Sequence, residues 1–274
     1  MQKYRFFSLF FVLFLLGDFA AQISLQKFTD DFKNLSENKF GSLSIAIIDL
    51  DSDSILADVH AEKTLMCAST AKLFSTFSAL EILGADYKPK TRIYTNGFID
   101  TNGVLIGDII IRGGGDVTLG SKYFHEEELD YGFMSLWRDQ LKAYGIRSIQ
   151  GNIITDGSDF SYAGVPDGWD WSDMGNYYGA GASGINFYDN TVKYYFDTPS
   201  TGEKVKFKGT FPLDSMLKFS HTIKSANIRN DRSYLYGAPY SQDRFGIGSL
   251  PSNRTDFVVK GSMHDPEYML ANEF

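Results

Sequence analysis

Apolar and polar positions along this chain first repeat at helical spacing. Leu25, Phe28, Phe32 and Leu35 predict an amphipathic first helix. The pattern then shortens, and Leu43 to Leu50 and Ser54 to Val59 read as two strands joined at Asp51-Ser52-Asp53, a hairpin. Leu73, Phe77 and Leu80 return to helical spacing, with Gly84 as a stop. Ser69 to Leu83 is therefore expected to be a buried helix with Ser69 at its entrance.

Beyond Gly84 the pattern turns β-rich. Thr91 to Tyr94, Val104 to Arg112, Ser148 to Thr155 and Lys204 to Lys208 are strand-like, with turns at Thr101-Asn102-Gly103 and Thr201-Gly202. One helical stretch, about Tyr131 to Tyr144, interrupts them, and a soft boundary falls near Lys88-Pro89-Lys90. The glycines of Arg112-Gly113-Gly114-Gly115-Asp116 read as a tight turn needing positive φ, because neither a P-loop nor a dinucleotide pattern continues from them. Trp169, Trp171, Tyr177 and Tyr178 read as packing residues, although aromatic loops can also wall a cleft.

Composition narrows the classes. Lys3 and Arg5, the apolar run Phe6 to Leu16, and Ala20 and Ala21 form a signal peptide pattern over residues 1–21. An exported, periplasmic mature chain with no membrane span is expected, an uncleaved anchor being the alternative. Cys67 is the only cysteine, so the fold must rest on its core, not on an internal disulfide. A net charge of −8 argues against nucleic acid as a partner and suits a substrate with a free amine. His60, His125, His221 and His264 are scattered outside any metal-ligand spacing, and no cofactor or metal is expected. The Asp49, Asp51, Asp53 series lacks the glycine and glutamate of a calcium loop and reads as a turn. No oligomeric state is read from the sequence.

The candidate chemistry lies at Ser69-Thr70-Ala71-Lys72. On a helix, positions three apart share a face, so the Ser69 hydroxyl and the Lys72 ammonium can meet. The spacing is weak alone, since Ser36 to Lys39 and Ser215 to Lys218 repeat it, and a helix cap beside a solvated lysine is the plain alternative. No G-x-S-x-G elbow is present, which favours a serine hydrolase whose base is not histidine.

Several stretches together resemble the class C low-molecular-mass penicillin-binding proteins: Ala68 to Leu73, Glu81 to Tyr87, Gly107-Asp108, Arg112 to Asp116, Gly151 to Phe160, Gly168 to Asp173, and Tyr178 to Asn190. The resemblance implies an α/β (α+β) fold, a penicillin-recognising transpeptidase-like serine hydrolase domain with a β-rich inserted domain. It implies a D-alanyl-D-alanine carboxypeptidase or endopeptidase acting on peptidoglycan stem peptides and acylated by β-lactams. Ser69 would be the nucleophile and Lys72 the general base. Asp156 matches an acid that the family places by the cleft, where it could hold the stem-peptide amine; a turn-capping aspartate is the alternative. Residues 22–90 would be the first part of the catalytic domain, 91–262 the insert, and 263–274 the start of the return.

The family's second and third motifs, Ser-x-Asn and Lys-Thr-Gly, are expected beyond Phe274, which makes this chain an N-terminal part of the enzyme. Ser225-Ala226-Asn227 fits Ser-x-Asn but lies within the insert. Alternative readings are a non-catalytic peptidoglycan-binding protein and a β-lactam hydrolase of the same superfamily.

Overall fold

The computed structural model describes residues 24–124, 132–160 and 164–274. The expected signal peptide and His125 lie outside the described residues. The chain divides into two units, one ending at Asp86 and the other running from Tyr87 to Phe274.

In the first unit, helix α1 (residues 24–33) precedes a hairpin of β1 (Ile45–Ile48) and β2 (Ile55–Val59), which pair antiparallel. The Gln26 amide clamps β2, donating to the Asp58 carbonyl at 2.9 Å and accepting from the Asp58 N–H at 3.0 Å. The aspartate series is a turn, as expected: Asp49 Oδ1 accepts the N–H groups of Asp51 and Ser52 at 2.8 and 3.0 Å. Helix α2 (Ala71–Leu83) closes at Gly84.

One expectation is corrected here. Helix α2 has no buried residue, and Leu73, Phe77 and Leu80 are 70%, 63% and 52% exposed. Its apolar residues are spread around the helix, as in Leu73-Phe74 and Glu81-Ile82-Leu83, so their spacing alone does not define a covered face.

The second unit carries the remaining strands. The run Val104 to Arg112 is two strands, β5 (Val104–Ile106) and β6 (Ile109–Arg112), and Ser148 to Thr155 is likewise β7 (Ser148–Gln150) and β8 (Ile153–Asp156). With β3 (Arg92–Thr95) and β4 (Phe98–Ile99) they form two sheets, ordered β3-β6-β8 and β4-β5-β7. The break is held at Asp108, whose carboxylate accepts from the Asn152 backbone and side chain at 2.9 and 3.1 Å and from Asn96 at 3.0 Å. Gly107 and Gly151 abut there so closely that a Cβ on Gly151 would sit 2.0 Å from the Gly107 carbonyl oxygen. Helix α3 (Gly132–Ala143) crosses over to β7, and Trp137 is its buried anchor.

The short helix α4 (Trp171–Met174) leads to the longest strands. Strand β9 (Thr191–Thr198) lies between β10 (Lys206–Phe211) and β15 (Arg254–Ser262). A further sheet joins β11 (Lys218–His221), β12 (Lys224–Ala226) and β13 (Arg232–Tyr236) to β14 (Asp243–Pro251). Along β9, Val192, Tyr194 and Phe196 point into the core while Lys193, Tyr195 and Asp197 point outward. The Tyr194 hydroxyl, pushed up to about 12 by burial, remains un-ionised.

The final stretch packs into this same unit. In helix α5 (Pro266–Glu273) Met269 and Leu270 are fully buried, and Phe274 meets Trp137 edge to face at 5.8 Å. Ser225 is buried within β12, a position from which the Ser-x-Asn look-alike presents no hydroxyl to solvent.

Candidate active site

A single 3-10 turn, Ala68–Thr70, leads into α2 and carries Ser69. Thr70 Oγ1 donates back to the Cys67 carbonyl, and the Ala71 N–H bonds to the Ala68 and Ser69 carbonyls. Ala68 is held at φ +44°, a left-handed conformation that costs a non-glycine residue about 1–2 kcal/mol. Lys72 Nζ lies 3.1 Å from Ser69 Oγ, so the two residues singled out by spacing are in hydrogen-bond contact. Both are exposed.

Asp156 belongs to the second unit, at the end of β8. Its Oδ1 accepts the Ser158 N–H at 2.9 Å, which is turn-capping geometry, and its Oδ2 lies 3.9 Å from the Arg112 guanidinium. Hydrogen bonds from Ser158, aided by Arg112, hold its carboxyl below the usual range, so it is a carboxylate at neutral pH. Arg112 also pairs with Asp159. Asp156 lines a cavity of about 110 Å³ together with Ser183, Tyr240 and Glu267. Burial first, then Asp265, pushes the Glu267 carboxyl up, while the Gly157 backbone hydrogen bond opposes the shift. Glu267 was not singled out from the sequence. The two carboxylates meet only because α5 docks on β8, where Thr155 Oγ1 donates to the Glu267 carbonyl at 2.8 Å.

A larger cavity, about 960 Å³, opens on the outer face of β9 and β15. Tyr177 and Tyr178, which the sequence offered as packing or cleft residues, are exposed and form part of its wall. No group of metal-ligating side chains occurs among the described residues.

The chain as a whole is similar to known proteins. The family model described as D-Ala-D-Ala carboxypeptidase 3 (S13) matches residues 21–274. The chain belongs to that family. It is 28% identical over 169 residues to the D-alanyl-D-alanine carboxypeptidase DacB of Haemophilus influenzae, an alignment covering 60% of this chain and 33% of that protein. It is 27% identical over 236 residues to the D-alanyl-D-alanine carboxypeptidase of an Actinomadura species, covering 84% of this chain and 42% of that one. Among solved structures, penicillin binding protein 4 (dacB) from Haemophilus influenzae superposes with a TM-score of 0.65 at 23% identity, over 85% of this chain and 50% of that one. The same protein complexed with a β-lactam superposes with a TM-score of 0.58 at 19% identity. The fold is thus that of a penicillin-binding protein, a mixed α/β architecture, and the chain spans half or less of the length of these relatives.

Proposed function

We propose that this chain supplies the nucleophile and base of an exported, periplasmic D-alanyl-D-alanine carboxypeptidase acting on peptidoglycan stem peptides, and that β-lactams acylate the same serine. The 3.1 Å contact between Lys72 Nζ and Ser69 Oγ carries this reading. In it, Lys72 as general base takes the Ser69 hydroxyl proton as Oγ bonds to the carbonyl carbon of the penultimate D-alanine. The carbon–nitrogen bond then breaks, and Lys72 returns the proton to the departing amine of the terminal D-alanine. Water next adds to the ester, releasing the shortened peptide and restoring the Ser69 hydroxyl.

In the second unit, Asp156 is proposed to bind the free amine of the stem peptide. Its charge at neutral pH and its neighbours Glu267 and Asp159 support a cation site, which Arg112 partly offsets. Residues 22–90 are taken as the first part of the catalytic domain, 91–262 as the insert and 263–274 as the start of the return to the catalytic domain. Export rests on the Lys3 to Ala21 pattern, and no described helix is long and apolar enough to cross a membrane.

The test is the intact mass of the chain after incubation with a penicillin, with Ser69→Ala and Lys72→Ala alongside. One covalent adduct is expected once the downstream sequence expected to carry Ser-x-Asn and Lys-Thr-Gly is present, none on Ser69→Ala in that same protein, and acylation slowed by about 10²-fold or more on Lys72→Ala. An adduct that survives Ser69→Ala would remove Ser69 from the role.

A further inference from the structure

Strand β14 opens with alternating exposed and buried positions, and its first inward position carries Arg244 in place of an apolar residue. Arg244 is only 3% exposed. A guanidinium does not shed its charge near neutral pH, so a fold that buries one has to supply hydrogen bonds and a counter-charge. The hydrogen bonds are partly there. Nη1 donates to the Ala238 carbonyl at 2.8 Å, and the Tyr194 hydroxyl lies beside the guanidinium. Gly237 closes over it, since a Cβ there would sit 2.0 Å from Nη1. Nε, however, is buried without a partner, and among the described residues no carboxylate stands within ion-pair reach of Arg244.

Asp214, the acid whose field reaches Arg244, is committed elsewhere. Its Oδ1 accepts the Met216 N–H at 3.0 Å, and its Oδ2 lies 3.4 Å from His264 Nδ1. Arg244 and His264 share the wall of a cavity of about 30 Å³ with Ser183, Ser262, Met174 and Met263. That is roughly the space of one water molecule, enough for a monatomic ion and too little for a sulfate, a phosphate or an amino acid. Ser262 Oγ donates its proton to the Met174 carbonyl. Ser183 Oγ accepts the Ile185 N–H at 3.2 Å and has no acceptor for its own proton among the described residues, so it can donate into the cavity.

Charge balance decides when an anion enters. The charges of Arg244 and Asp214 cancel, and Tyr194 is un-ionised. With His264 neutral, an anion would leave this buried group with one net negative charge; with His264 protonated, the same anion brings it to zero. The remaining groups that face His264 are Tyr268 and Asp265, and Asp265 is the less buried of its two acids and caps α5 through the Tyr268 N–H.

We propose that this cavity takes up one chloride ion, held by Arg244 and the Ser183 hydroxyl, together with a proton on His264. Ion and proton enter as a neutral pair. Because His264 lies just ahead of α5, the site ties the docking of that helix, which brings Glu267 to Asp156, to chloride and pH. None of this rests on Ser69 or on the carboxypeptidase reading.

The test is the urea midpoint of the chain in sodium chloride against sodium gluconate at fixed ionic strength, at about pH 7.5 and about pH 6. Chloride is expected to raise the midpoint saturably, with half-saturation at least about threefold lower at the acid pH. Bromide should act as chloride does, and crystals of the parent grown in bromide should show its anomalous signal in this cavity. Sulfate should give only the salting-out rise, which does not saturate. Ser183→Ala loses a donor without a change of charge and should need about fivefold more chloride. Arg244→Met should abolish the response; if that variant fails to fold, Ser183→Ala and the bromide signal decide. The proposal falls if chloride and gluconate give equal midpoints at both pH values, which would leave water as the only occupant. It also falls if half-saturation is the same at both, if sulfate saturates as chloride does, or if Ser183→Ala responds as the parent does.

Discussion

A methyl group added at Gly113 would sit 2.2 Å from the Gly184 carbonyl oxygen and 2.6 Å from Ile185 Cδ1. The glycine N–H also donates to the Asp156 carbonyl at 2.9 Å, so the strand end bearing Asp156 and the 184–185 backbone close on the same point. Neither backbone can retreat cheaply, and Gly113→Ala is expected to destabilise the second unit by about 1–3 kcal/mol. Urea unfolding followed by tryptophan fluorescence measures this; a midpoint equal to the parent's would show that the contact gives way. The sequence suggests a positive-φ turn across Gly113, Gly114 and Gly115, and only Gly115, at φ +76°, is of that kind. The other two are small because other backbone abuts them, which no local pattern encodes. Ser69 and Lys72 were legible for the opposite reason: their contact follows from helical pitch alone. The meeting of Lys193 with Lys260, or of Asp156 with Glu267, depends on register and docking between distant segments.

Among the elements, the hairpin, the Ser69 helix and the α3 helix could be read because each follows from a local period. Strands β9, β14 and β15 were not among the expected ones, although β9 alternates cleanly. Its outward positions are Lys193, Tyr195 and Asp197, and the aromatic Tyr195 between the two charged residues makes Tyr194 to Phe196 read as one continuous apolar run. The splitting of β5 from β6 was also hidden, since both halves are aliphatic and only Gly107-Asp108 marks the change of sheet. For α2, spacing predicts burial and the structure shows exposure, and the two readings differ sharply in energy. Phe77 is 63% exposed, so Phe77→Ala should change the stability of the chain by no more than about 0.5 kcal/mol. The fully buried Phe187, truncated in the same way, should cost about 3–5 kcal/mol. Thermal unfolding of the two variants side by side decides the point. A loss at Phe77 approaching that at Phe187 would mean that α2 is covered in solution.

For the protein as a whole, the acid limb of stability should be set by two histidines in the second unit. His264 is buried, its Nδ1 3.4 Å from Asp214 Oδ2. Burial pushes its pKa below the ordinary value of 6.5, and Arg244 pushes in the same direction, while Asp214 and Asp265 pull it back. His221 stacks on Phe219 with centroids 5.5 Å apart, and burial followed by Lys204 lowers it too. A histidine kept neutral in the fold binds its proton more readily once unfolded. Stability from both is therefore complete above about pH 6.5 and is lost as pH falls from there toward the folded values. Glu267 and Glu273 act in the other sense: burial raises both above 4.5, so their contribution is full at low pH and is lost as pH rises through the raised values. The two windows open from opposite ends, and the histidine slope is met first on acidification from neutrality. Urea midpoints measured from pH 7.5 downward should thus begin to fall near pH 6.5. In His221→Phe the ring stays beside Phe219 and Phe196 with no proton to gain, so the fall should be shallower. Glu273→Gln should leave the histidine limb unchanged and remove part of the opposing slope at lower pH. An unchanged slope in His221→Phe would assign the acid sensitivity to His264 with its Asp214 and Arg244 neighbours.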